Sequence, residues 1–323
     1  MTAAPEAAAK LSRLHLGSAP DSWGVWMPDD PRQTPWPRFL DEVAEAGYAW
    51  IELGPFGYLP TDPARLVEET GRRGLTITGG TVDGGLHRPG TFDEVLERSR
   101  DVCRTLAGVG ARYLVFLPEM YRDVDEAGTW LQERELTVEQ WDRLLTGMSQ
   151  LGRIVHDEFS MTLAFHPHAD SHVGTQEHVE RFLEGTDPDF VQLCLDTGHV
   201  SYCDGDNIAI IRRFPERIHY VHLKQVEPGI LERVRREGLS FAQAVRLGSM
   251  CEPPLGDPEM PPVLETLADL DRDLFAVVEQ DLFPCEPDVP LPIAKRTREY
   301  FESIGIGPGR LANEKRTPRP TSG

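Results

Sequence analysis

The sequence predicts a single (β/α)8 barrel. Eight short apolar runs alternate along the chain with longer stretches of helical spacing. Several runs are apolar almost throughout, as strands covered on both faces must be. The third observation is length: 323 residues with no low-complexity linker in the middle, where one such barrel needs roughly 250. The same alternation also suits a doubly wound open sheet, but no G-x-G-x-x-G opens any of these helices.

The elements follow in order. Residues 1–10 are rich in Ala, Pro and Glu and read as a disordered end, residues 11–309 as the barrel, and the polar, proline-punctuated residues 310–323 as a disordered tail. The expected strands are Leu14–Ala19, Trp50–Gly54, Thr76–Gly80, Tyr113–Leu117, Thr162–Phe165, Gln192–Leu195, His219–Leu223 and Phe275–Glu279. Between them, Phe39, Val43 and Ala46 share one helical face. Val95, Ser99, Val102 and Leu106 share another, and Leu144, Met148, Leu151 and Val155 a third. One interval breaks the rhythm. Gln225 to Ala268, after strand seven, holds more than a crossover needs, with an amphipathic piece at Ile230–Gly238 and the loop CEPPLGDPEMPP. An insertion after a strand's C-terminal end lies at the mouth of a barrel, where it can act as a lid or be a surface excursion.

Composition narrows the function. A hydrophobic fraction of 40% supports a large core, and 53 acidic against 33 basic residues give a formal net charge of -20. A surface that acidic repels phosphate backbones and anionic lipid, so the reading is no nucleic-acid partner, no membrane partner and a small neutral substrate. The five cysteines are scattered without a C-x-x-C pair, which fits a reducing compartment. The N-terminus lacks a secretory pattern and no long apolar run is present, so the expectation is a cytoplasmic protein. A homo-oligomer is compatible with all of this.

The polar residues fall where the strands end. Strand five meets His166-Pro167-His168, strand six Asp196-Thr197-Gly198-His199, strand seven His222-Leu223-Lys224, and strand eight Glu279-Gln280-Asp281. Each taken alone has an ordinary structural explanation, such as Asp196 capping a helix. Four strand ends in the same register are a different matter, because convergent carboxylates and imidazoles are what divalent metals bind.

GSAPDSWGVW, the H-x-H after strand five, LDTGH, VHLK and VEQD together resemble the xylose isomerase-like TIM barrel superfamily, and within it the inosose dehydratase branch of inositol catabolism. The likeness covers roughly residues 14–306. It implies one divalent metal ion, Mn2+ or Co2+ with Zn2+ also compatible, held by His166, Asp196, His222 and Glu279. It also implies that His168, His199 and Lys224 contact the oxygens of a polyol or keto-sugar substrate or relay protons. Most of the superfamily has a glutamate where this chain has His166. With the histidine, the four ligands sum to -2 and leave a stronger Lewis acid.

That substitution bears on the reaction. An epimerase needs a base on each face of an enediolate, and two opposed glutamates can supply them. Here only Glu279 remains, which favours a dehydratase: Glu279 removes the proton α to the ketone, a metal-stabilised enediolate forms, and His168 or His199 acts as acid toward the departing hydroxyl. A metal-dependent sugar isomerase or epimerase is the alternative reading, and a barrel that binds without catalysis a lesser one. Glu52, ending strand two, is taken as a substrate contact against a buried structural acid. Trp23, with Trp26, is taken as an apolar wall for the substrate against packed core. Glu119 is expected to face solvent.

Overall fold

The computed structural model describes residues 9–307. The expected disordered ends lie outside the described residues, except that residues 9–11 are helical. The barrel begins with β1 (Leu14–Ser18), β2 (Trp50–Glu52), β3 (Thr76–Gly84), β4 (Tyr113–Pro118), β5 (Thr162–Phe165), β6 (Val191–Asp196) and β7 (Ile218–Leu223). After an excursion holding β8 (Gln225–Val226) and β9 (Met250–Cys251), β10 (Leu274–Val278) closes against β1 in parallel register, from Leu14 opposite Leu274 to Ser18 opposite Val278. All eight barrel strands coincide with the apolar runs of the sequence.

Two cores explain why the runs are continuous. Side chains pointing inward (Val115, Ala164, Cys194, Tyr220, Val277) pack against one another inside the barrel. Those pointing outward, such as Leu16, Phe116, Phe165 and Leu195, pack against the helices. A strand with core on both sides has no face to leave polar. The helices comprise α1 (Trp36–Glu45), α2 (Pro63–Gly71), α3 (Phe92–Val109), α4 (Val138–Phe159), α5 (Gln176–Gly185), α6 (Thr197–Tyr202) and α7 (Asn207–Arg213). They bury the faces read from spacing: Phe39 and Val43 in α1, Val95, Ser99, Val102 and Leu106 in α3, and Leu144, Met148, Leu151 and Val155 in α4. Each large aliphatic or aromatic side chain buried this way contributes about 1.5–3 kcal/mol. α4 starts where it does because Thr137 and Gln140 form a reciprocal capping box.

The insertion is a small unit with its own core. Antiparallel β8 and β9 carry α8 (Pro228–Glu237) and α9 (Phe241–Arg246) between them. Val226, Leu231, Phe241, Val245 and Met250 pack on Ala169, with Trp26 and Tyr202 alongside. At its base the buried Gln225 amide donates to the carbonyls of Gly256 and Pro258 at 2.7 and 2.6 Å. The chain then returns through α10 (Met260–Ala268) to β10, and ends with α11 (Pro290–Ser303). No helix among the described residues is long and apolar enough to cross a membrane.

Candidate metal centre and active site

Because neighbouring parallel strands run out in one direction, their terminal side chains meet. His166 follows β5, Asp196 ends β6, His222 sits opposite Asp196 in β7, and Glu279 follows β10. One donor atom from each lies within 4.8 Å of all the others, and the four side chains are buried. Ligands about 2.0–2.3 Å from one ion stand up to roughly 4.6 Å apart, so a small contraction of this spread would bring all four onto one ion.

The hydrogen bonds show that the set fits a cation. Glu52 Oε1 accepts from His222 Nε2 at 2.9 Å, which leaves Nδ1 to face the cluster. That nitrogen faces Glu279 Oε2 at 3.0 Å and Asp196 Oδ2 at 3.6 Å, yet it has no hydrogen-bond partner. With two carboxylate oxygens against it, this nitrogen needs positive charge at that point, either a proton on the ring or a cation bound through its lone pair. Glu52 therefore orients His222 from behind, as partners behind metal ligands do, a kind of contact typically worth about 10–100-fold in metal affinity. Of the two readings of Glu52, the structure favours the buried acid: its side chain has no exposure and its partner is the histidine.

Asp196 is held from the other side. Its Oδ1 accepts from the His199 backbone N–H at 2.7 Å and caps α6, so Oδ2 is left facing His166 Nε2 at 3.2 Å. The same motif seats Lys224. Thr197 Oγ1 donates to the Lys224 carbonyl at 2.7 Å and accepts from its N–H at 2.9 Å. At Gly198 a Cβ would lie 2.5 Å from Lys224 Cγ, so only glycine lets the lysine pass. The LDTGH and VHLK motifs are thus one device.

The Lys224 Nζ ends among three carboxylates, 3.2 Å from Asp196 Oδ2, 3.1 Å from Glu279 Oε2 and 2.8 Å from Asp281 Oδ2. Burial opposes its charge, but Asp196, Asp281 and Glu279 outweigh that and hold the ammonium well above its ordinary pKa. Burial likewise pushes Glu279 up, while His222 and Lys224 outweigh it and keep this carboxylate ionised far below the usual range. Asp281 was not singled out from the sequence, although it lies two residues beyond Glu279 on the same side of the chain. Asp21 was missed too. Desolvation, with the charges of Glu279 and Asp281, raises its carboxyl well above the ordinary value.

The two remaining histidines are stacked, with ring centroids 3.8 Å apart. One backbone residue sets both tautomers. His168 Nδ1 donates to the Ala169 carbonyl at 2.6 Å, so its Nε2 is an acceptor. The Ala169 N–H donates to His199 Nδ1 at 3.1 Å, so the His199 proton is on Nε2. Burial, and then the neighbouring His166, lowers the His168 pKa to about 3, and burial with His168 and Lys224 holds His199 well below its ordinary value. Both rings are neutral at pH 7. His199 Nε2 lies 3.3 Å from Lys224 Nζ. Two donors face the same point with no acceptor between them, an arrangement that suits a substrate oxygen.

Trp23 does not reach the mouth. Its ring is fully buried edge-on to Phe39 and its Nε1 donates to Glu42 Oε2 at 2.9 Å, so it is core, and the expected substrate wall at this position is corrected. The short helical turn Pro20–Trp23 and left-handed Gly24 send Trp26 the other way, to donate to Asp281 Oδ1 at 3.1 Å. Glu119 is partly buried and bound to Arg88 and Gln132 at the rim, rather than free in solvent.

Residues 40–298 match the model of the xylose isomerase-like TIM barrel family. Among curated relatives, the chain is 31% identical over 305 residues to an inosose dehydratase of Bacillus velezensis, covering 91% of this chain and 99% of that one. It is 30% identical over 298 residues to an inosose dehydratase of Geobacillus kaustophilus, covering 91% and 96%. Among solved structures, the IOLI protein with a binding zinc atom superposes with a TM-score of 0.68 at 14% identity, covering 90% of this chain and 98% of that one, a likeness of fold.

Proposed function

The chain belongs to the xylose isomerase-like TIM barrel family, and from that membership we propose that it is a metal-dependent hydro-lyase that eliminates water from a cyclic polyhydroxy ketone such as an inosose. The observation that supports the reading is the donor set of two imidazoles and two carboxylates: Asp196 is engaged by the His199 N–H, Glu279 is left as the ligand that can act as base, and the resemblance puts His166 where the family's epimerases keep a second glutamate. The inosose dehydratases to which the chain is similar over nine-tenths of its length support the substrate class. Mixed nitrogen and oxygen donors of this kind favour Mn2+ or Co2+, with Zn2+ compatible, over Mg2+, which prefers oxygen alone.

A divalent ion held by His166, Asp196, His222 and Glu279 supplies Lewis-acid polarisation of the ketone. The protein's own groups do the rest. Glu279 takes the proton from the carbon next to the carbonyl. The electron pair left behind expels the hydroxyl on the following carbon. Lys224 Nζ and His199 Nε2–H both donate to that departing oxygen, and Lys224, the only cation of the three side chains around it, passes it a proton. His168 Nε2 accepts from a neighbouring hydroxyl and fixes the ring's orientation. The net change is loss of one water.

The tautomers thus move the acid from a histidine to the lysine, which a pair of variants can test. In a Lys224→Gln variant, the α-hydrogen should still exchange with solvent deuterium while water loss falls by about 10²–10⁴-fold, the usual worth of a general acid. His199→Asn should slow elimination by roughly tenfold, the loss of one hydrogen bond to a charged centre, with exchange and elimination still coupled. Uncoupling by His199→Asn and not by Lys224→Gln would return the acid role to the histidine.

A further inference from the structure

Phe241 stands over the paired histidines. It is the first residue of α9 in the insertion, and its ring centroid lies 4.9 Å from that of His168 and 5.0 Å from that of His199. Behind it, Trp26 is stacked at 6.1 Å and in turn stacks on Phe283 at 5.2 Å. The insertion therefore lays an apolar aromatic face on a mouth whose other groups are imidazole, ammonium and carboxylate.

The position is enforced from several elements. The Phe241 N–H donates to Asp170 Oδ2 at 2.6 Å, and the Asp170 carbonyl accepts from Tyr121 N–H at 2.8 Å. Asp170 itself is in the left-handed region at φ 55°, a conformation a non-glycine residue holds only when its surroundings demand it. On its outer side α9 is tied to the loop before α4, with Arg246 Nη2 donating to the Val124 carbonyl at 2.8 Å and Gln243 Nε2 to the Glu126 carbonyl at 2.9 Å. Left-handed glycines, Gly238 and Gly248, flank the helix. Phe241 is 2% exposed, and none of the four cluster side chains' residues exceeds 4%. A ring-sized molecule docking on the paired histidines must displace Phe241 from them.

We propose that Phe241 is a specificity-determining residue that closes over the carbon face of a ring and so selects cyclic over open-chain polyhydroxy compounds. The inference rests on the cyclic-ketone reading above. A six-membered ring polyol with mostly equatorial hydroxyls is amphipathic. Its rim is polar and its faces are C–H, which suits a polar mouth with an aromatic lid. An open-chain polyol presents hydroxyls on every side and has no rigid apolar face to offer.

The test is calorimetric titration of the metal-loaded full chain with myo-inositol as ring probe and mannitol as open-chain probe. The wild type should bind the ring more tightly. Phe241→Ala should lose about tenfold in affinity for myo-inositol and less than about twofold for mannitol, while Phe241→Trp keeps the preference. Metal content equal to wild type in both variants shows that the site beneath is intact. Wild-type affinity for the ring in Phe241→Ala overturns the role of Phe241 and leaves the cyclic-ketone reading standing. Equal loss of both probes also overturns it, since a structural residue would act that way. A wild type that shows no preference for the ring defeats the cyclic-ketone reading, and the role of Phe241 with it.

Discussion

An Asp196→Asn variant is expected to lose its metal and, with it, turnover to the background rate. Asp196 Oδ2 is one of two anionic donors in the cluster and stands 3.2 Å from His166 Nε2 and 3.6 Å from His222 Nδ1, so its charge sits between both imidazoles. Partners one layer behind a ligand are already worth about 10–100-fold in affinity, and a charged ligand itself should exceed that. Asparagine is the informative change because its side-chain oxygen can still accept from the His199 N–H that begins α6. Asp196→Ala removes that cap as well, at a further cost of about 1 kcal/mol in stability. Elemental analysis after dialysis reads the outcome. Stoichiometric metal in a folded Asp196→Asn protein would remove Asp196 from the ligand set.

Glu279→Gln should separate binding from chemistry. The amide retains an oxygen that can ligate weakly, so metal occupancy should fall modestly, but the amide cannot take a proton. Loss of a general base costs about 10²–10⁴-fold in kcat. Solvent exchange at the carbon next to the ketone should disappear together with turnover, because both begin with the same proton transfer. This distinguishes Glu279 from Lys224, whose loss leaves exchange running. Exchange at the normal rate in Glu279→Gln would place the base elsewhere, with Asp281, the carboxylate nearest to Lys224 Nζ at 2.8 Å, the first candidate.

The contrast between these two residues and Glu52 shows what the sequence makes legible. Barrel strands are visible because core on both faces leaves no polar alternation, and the ligands are visible because they follow those runs at one register. That rule marks four short polar stretches, the family resemblance picks His166, Asp196, His222 and Glu279 out of them, and the structure brings those four together. Glu52 ends a strand in the same way but reaches His222, 170 residues away in the chain, from across the barrel interior. Nothing in the local pattern of W-I-E-L-G marks an acid whose partner is a ligand's far nitrogen. Trp23 and Trp26 are three residues apart with opposite fates, decided by a helical turn too short to have a periodicity and by one left-handed glycine. The tautomers of His168 and His199 come from the backbone of Ala169, and every residue but proline carries those groups. Phe241 lies in a segment whose place over the mouth depends on bonds to Asp170 and to the loop before α4, which only the folded chain brings near.

The most direct test of the account is the product that metal-loaded protein forms from a keto-inositol in deuterated water. Loss of one water, with a rise in ultraviolet absorbance from a conjugated enone or dione, is the predicted result. Loss of Glu279 should abolish both that product and deuterium incorporation next to the ketone. A product of unchanged mass apart from deuterium, with its configuration or carbonyl position altered and no water lost, would contradict dehydration and establish the isomerase or epimerase reading in its place.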